Sequence, residues 1–265
     1  MPFISQSPLR ISQPRLTRPY TLYSPPPPSS YNSISLLLWT IIGLNTAIFG
    51  TWLYADTNPS NTSLKSHLYK HFTLKDSDLR EGNYHTLITS AFSHKEPTHF
   101  LFNMMGLACF MNAIRIVPGI RTFRVVALVL GSAVVSSAAF LYHNRTQTQN
   151  KTKPRNWIGN WNWNSKQQVR TIRVGLGASG IVMGLAATAT CLNPMLPMML
   201  LAIPFPMPLF MITGAFVGLD YYLLNSEKTT IGHAAHLGGF AFGVIFYLSY
   251  WRRLGGVWTM LTRWR

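Results

Sequence analysis

Acidic side chains are nearly missing from this chain. Seven Asp and Glu stand against 23 Lys and Arg in 265 residues, a formal net charge of +16. Charge of either sign is scarce, at 11% of residues, where a soluble domain carries about 25%. So few charges exclude an ordinary water-soluble enzyme, which would lack the polar surface to cover itself. Cysteine is scarce too. Cys109 and Cys191 lie inside apolar stretches, which excludes a disulfide framework and the cysteine spacing of a zinc site. An apolar fraction of 48% excludes disorder for most of the chain. A dedicated nucleic-acid binder spreads basic residues along exposed faces. Here they cluster between long uncharged runs, which is the layout of a multi-pass membrane protein.

Those runs define the architecture. No charge falls between Arg18 and Asp56, and 34–55 is almost wholly apolar. Further runs lie between Glu96 and Arg115, Arg124 and Arg145, and Lys228 and Arg252. Between Arg173 and Asp220 there are 46 uncharged residues, interrupted by Pro194 and Pro197. A hydrocarbon core of about 30 Å takes roughly 20 helical residues, so the long run divides into two helices at the prolines. The expectation is an all-α membrane protein with six spans near 35–55, 98–117, 123–143, 176–193, 200–222 and 232–251. A long, partly structured loop joins the first two over 56–97, and a polar loop over 144–173 joins the third and fourth. Trp157, Trp161 and Trp163 in that second loop suit a membrane interface, although a disordered insertion over 146–168 is the stronger reading. The two sides of such a bundle carry ten and thirteen Lys and Arg, which does not set its orientation.

The N-terminus is of another kind. Residues 1–34 hold Arg10, Arg15 and Arg18, seven Ser, eight Pro and no acid. This composition fits a mitochondrial transit peptide, with a disordered tail as the alternative. Residues 252–265 form a basic C-terminal tail.

Polar residues inside the spans carry the chemistry. His99 and Asn103 are four apart on one face of the second span. Ser179 opens the fourth span within Gly177-Ala178-Ser179-Gly180. The sixth holds His233 and His236, then Gly239 and Gly243 at small-xxx-small spacing, which lets helices approach closely. Spans 2, 4 and 6 cross in the same direction, and none of these groups need lie deeper than roughly 12 Å from its span start. A Ser–His pair can therefore meet in one leaflet. Ser needs a base to become a nucleophile, and His236 can supply it and then protonate the leaving amine. Asn103, His99 and the Ser179 backbone N–H are candidate donors to a developing oxyanion. No carboxylate in a span is close to His236 in sequence, so a Ser–His dyad is expected rather than a triad. Asp220, the one acid in a span, is expected to pack against a loop or the sixth span.

HxxxN at 99–103, GASG at 177–180 and AHLGGxxxG at 235–243 together resemble the rhomboid intramembrane serine proteases, in order and in placement on alternate spans. TSAFSHKEPTHFLFNM at 89–104 resembles their mitochondrial-type branch. The resemblance covers about 35–251. It implies a six-helix rhomboid bundle with Ser179 as nucleophile, His236 as base and acid, and His99 with Asn103 at the oxyanion. Gly177, Gly180, Gly239 and Gly243 shape the backbone and helix packing. Loop 56–97 would be the lateral loop and the fifth span a substrate gate. The Trp-Arg pair of many members is absent from 56–97, as is an additional N-terminal span from 1–34. The expected substrates are transmembrane segments of other proteins in the bilayer, without nucleic acid, metal or organic cofactor, and the expected site is the mitochondrial inner membrane. His94 is expected to make a structural hydrogen bond. The competing readings are a catalytically silent rhomboid-like protein that binds membrane clients, and a transporter.

Overall fold

A computed structural model describes residues 28–152, 173–200, 203–226 and 232–262. Helix α1 runs over Pro28–Thr57. Proline is favoured in the first helical turn, where its missing N–H costs nothing, so the helix starts at the last residue of the Pro25–Pro28 run, ahead of the expected 35. One stripe, Ile34, Leu38, Ile41, Asn45, Trp52 and Ala55, is buried, while Leu36 and Trp39 on the opposite face and Leu44 on its flank are exposed. A helix apolar on both its inner and its outer face suits lipid outside and protein inside.

The segment between α1 and the next long helix is structured. It holds α2, Thr62–His71, α3, Thr86–Thr89, and a 3₁₀ turn at Ser90–Phe92. Trp52 anchors it to α1. Its indole N–H donates to Ser93 Oγ at 2.8 Å, its ring meets Tyr69 edge-on, and Lys95 lies over both rings. Helix α4, Pro97–Arg115, buries Asn103, Met104, Leu107, Phe110, Met111 and Ile114 along one face.

Helix α5 spans Thr122–Thr152, well past the expected end at 143. Its last turns, Gln147 to Thr152, are polar, and no helix breaker interrupts them. The three-tryptophan segment and most of 146–168 fall outside the described residues, as do residues 1–27. Helix α6, Ser179–Leu192, is apolar on every side, and Ile181, Leu185, Ala186, Ala187 and Ala189 are fully buried. It is the central helix.

The largest departure follows α6. The fifth span was expected from 200, but Pro197–Leu200 (β1) and Ile203–Pro208 (β2) pair antiparallel. Helix α7 begins only at Leu209 and runs to Leu223. Pro197, Pro204, Pro206 and Pro208 remove the backbone donors a helix needs there. Helix α8, His233–Phe246, continues as a π-helical segment to Trp251, and α9 covers Val257–Thr262. Among the described residues two helices, within Tyr31–Thr57 and Thr122–Thr148, are long and apolar enough to cross a membrane; Ser179–Leu192 and Leu209–Leu223 are apolar but shorter.

Candidate active site

Small residues bring α5, α6 and α8 into backbone contact. A methyl group placed on Gly239 would lie 2.1 Å from the Gly180 carbonyl oxygen, and one on Gly243 would lie 2.2 Å from that of Gly184. From α5, Ser136 and Ser132 fill the corresponding space beside Gly180 and Gly184. Thr188 Oγ1 reaches the carbonyls of both Gly184 and Gly243, at 2.9 and 3.0 Å. The starts of α6 and α8 are therefore held face to face. Ser179 opens α6 and is half-buried, as is His236 in the first turn of α8. Their chain neighbours meet across the gap, with Gly180 facing the Ala235 carbonyl.

The loop entering α6 is shaped by its contacts with the segment before α4. Gly175 pairs with Leu74 through reciprocal N–H···O bonds of 2.8 and 2.9 Å, and Gly177 N–H donates to Ser90 O at 2.9 Å. Gly177 has φ +122°, a conformation that side chains disfavour. The His99 ring occupies the place its Cβ would take, 2.5 Å from Cε1. His99 thus lies against the backbone two residues before Ser179. Buried Asn103 sits one turn further along α4 and donates from Nδ2 to the His99 carbonyl at 2.8 Å. His94, fully buried, accepts the Ala178 N–H on Nε2 at 3.2 Å. The first amides of α6 have no intrahelical acceptor.

Asp220 packs against the sixth span, and against the very histidine that the sequence left without a nearby carboxylate. Its buried carboxylate, on α7, meets His236 Nδ1 at 2.9 Å (Oδ1) and 3.1 Å (Oδ2). It also meets His233 Nδ1 at 2.7 Å through Oδ1. A carboxylate absent from the neighbourhood of His236 in sequence is thus its partner in space. Sixteen residues and a helix–helix turn separate the two, so no local spacing announces the pair. The available signal was that Asp220 is the lone acid in a span, and such groups are paired. The three residues also form a two-His, one-carboxylate donor set within 4.8 Å. Zinc bonds of about 2.0–2.2 Å would hold these atoms roughly 3.3 Å apart. The observed separations are those of N–H···O hydrogen bonds.

The sequence matches a known family. The rhomboid domain family matches residues 81–253. The chain belongs to the rhomboid family, whose members are generally intramembrane serine proteases acting on transmembrane substrates in the bilayer. It is similar to RHOMBOID-like protein 12, mitochondrial, of Arabidopsis thaliana, with 31% identity across 67% of this chain and 50% of that protein. It is also similar to Rhomboid protein 1, mitochondrial, of Saccharomyces cerevisiae, with 24% identity across 80% of this chain and 53% of that one. A mitochondrial rhomboid protein of Schizosaccharomyces pombe shares 25% identity across 86% of this chain and 69% of its own. The chain spans about half the length of the first two relatives. It is a mitochondrial membrane protein.

Proposed function

We propose that the protein is a serine endopeptidase that cleaves transmembrane segments of other proteins within the mitochondrial inner membrane. On this reading, α1, α4, α5, α6, α7 and α8 are the six spans of a protease domain over 35–251, 56–97 is the lateral loop and α7 borders the substrate entrance. Residues 1–34 act as the mitochondrial address, and 252–265 form a basic tail.

The observation that carries the reading is the Asp220–His236 contact at the start of α8, facing the start of α6. A carboxylate on Nδ1 fixes that nitrogen as the N–H and leaves Nε2 with the lone pair. Nε2 then takes the Ser179 proton as Oγ attacks the scissile carbonyl. The resulting imidazolium is stabilised by Asp220, and the oxyanion by His99, Asn103 and the first amides of α6. The tetrahedral intermediate collapses as His236 passes its proton to the leaving amine, giving an acyl-Ser179. Water attacks that ester with His236 again as base, releasing the acid and regenerating the serine. Asp220 is a positioning residue, since it reaches the reaction only through His236.

The test is cleavage of a single-span substrate in proteoliposomes. Ser179→Ala should abolish it and should lose fluorophosphonate labelling. Undiminished cleavage by that variant overturns the proposal. Failure of a fluorophosphonate to label Ser179 in the folded wild-type chain would favour a silent, client-binding role.

A further inference from the structure

The two ends of the bundle carry different charges. Among the described residues the acids are Asp56, Asp76, Asp78, Glu81, Glu96 and Asp220. Asp56 lies in the last turn of α1, Asp76 to Glu96 lie in the segment before α4, and Asp220 meets His236. All six therefore belong to the end that holds Ser179, and so do the described ion pairs. Helix α4 leads away from that end over 19 residues, about 28 Å. At the far end stand Arg115, Arg121, Arg124, Arg252 and Arg253, with no acid among the described residues there. We propose that this arginine end binds the phosphate groups of anionic phospholipids, at the seam where the start of α5 meets the end of α8.

The seam is built from ordered elements. Arg124 Cζ lies 6.0 Å from the centre of the Tyr250 ring. A Cβ on Gly119, in the turn before α5, would lie 3.3 Å from Leu254 Cδ2. Arg121 just precedes α5 and Arg252 just follows the π-helical end of α8, so both flank the seam, and both are exposed. Arg252 Cζ sits 5.1 Å from the centre of the Trp258 ring. That tryptophan is held in place. Its backbone N–H donates to the Tyr247 hydroxyl at 3.0 Å, and the hydroxyl donates to Gly255 O at 2.7 Å. Gly256, at φ +79°, packs so closely on the end of α6 that a Cβ would overlap the Cys191 carbonyl. Asn193, at the same end of α6, reaches Ala113 O near the end of α4 at 3.3 Å, which brings Arg115 to this face of the bundle.

The side chains decide the class of ligand. All five cations are arginines, whose planar guanidinium presents paired donors that match phosphate oxygens. With no described carboxylate at this end, those donors call for an anion from outside the chain. Exposed Phe123, Tyr250 and Trp258 lie at the same level, the aromatic border expected where a bundle meets lipid headgroups. A soluble anion has no use for that border, and a zwitterionic headgroup brings its own cation beside the phosphate. Basic clusters of this size next to membrane spans attract anionic headgroups. The inference does not depend on Ser179 being a nucleophile.

Native mass spectrometry of the full chain tests it, released from mixed micelles holding phosphatidylglycerol and phosphatidylcholine in equal amounts. The unsubstituted chain should retain phosphatidylglycerol in preference by about tenfold. Combined Arg121→Gln, Arg124→Gln and Arg252→Gln should bring the two lipids close to parity, and the single Arg121→Gln and Arg252→Gln variants should each lower the preference. Lys70→Gln, Lys75→Gln and Arg80→Gln together remove the same charge from the opposite end and should leave it unchanged. Inorganic phosphate should displace the lipid no better than acetate at equal ionic strength. Equal retention of both lipids by the unsubstituted chain, or an undiminished preference in the arginine variants, would overturn the proposal. So would loss of preference in the opposite-end variant, which would mark a net-charge effect, or specific displacement by phosphate, which would mark a soluble-anion site.

Discussion

Burying a carboxylate is expensive unless donors meet it, and at Asp220 two imidazole Nδ1 atoms lie within hydrogen-bond distance. That makes Asp220 the residue whose replacement separates orientation from nucleophilicity. Asp220→Asn keeps the shape but no longer specifies which His236 nitrogen carries the proton. Turnover should fall by about 10²-fold or more, with KM little changed and the pH–rate profile displaced, while Asp220→Glu should restore part of the activity. An unaltered profile in Asp220→Asn would show that the contact has no part in orientation. His94 supplies a second test at this scale. Burial above all, with a smaller contribution from His99, pushes its pKa from 6.5 down to about 3. Because the folded value lies below the unfolded one, the neutral ring's contribution to stability is complete above about pH 6.5. It is lost progressively as pH falls from there towards 3. His94→Gln can still accept the Ala178 N–H without titrating, so unfolding curves for this variant should lose part of their acid sensitivity across that window.

Contacts between elements depend on atoms that are missing as much as on those present. Gly180, Gly184, Gly239 and Gly243 let α6 and α8 touch backbone to backbone. A Gly239→Ala methyl would overlap the Gly180 carbonyl, and overpacking of this kind costs about 1–3 kcal/mol. Lower thermal stability in detergent is expected, together with loss of fluorophosphonate labelling, because the starts of α6 and α8 are pushed apart. The close-approach motif was legible in advance from AHLGGxxxG. The hairpin before α7 was less so. The 46-residue run looked like helix interrupted once, yet Pro204, Pro206 and Pro208 exclude helix over that stretch. Hydropathy counts apolar residues without asking whether their N–H groups exist. The overrun of α5 past 143 is the converse case, where a polar stretch stayed helical because nothing in it breaks a helix.

At the scale of the whole molecule, the solvent is written on the outside of the bundle. Leu36 and Trp39 project from α1 opposite its buried stripe, and Leu44 is exposed on the stripe's flank. If that face meets lipid, Leu44→Arg should reduce membrane insertion of α1 by about 2.5–3.5 kcal/mol, the cost of Arg near a helix centre. An insertion assay with a reporter on either side of the helix measures it, and an exposed water-facing position would show almost no change.

Composition pointed to the class of molecule, and motif spacing with the family resemblance named its candidate reactive groups. Helical periodicity and the cost of polarity in lipid leave few ways to read Ser179, His236, His99 and Asn103 in uncharged runs. What the chain's order could not contain was which distant groups come together. The bond from Asp220 to His236, the seat of the His99 ring beside Gly177, and the approach of Arg124 to Tyr250 each join separate elements. Such contacts depend on how helices stack and where loops turn back, and that is settled by close packing of many side chains at once rather than by any local pattern.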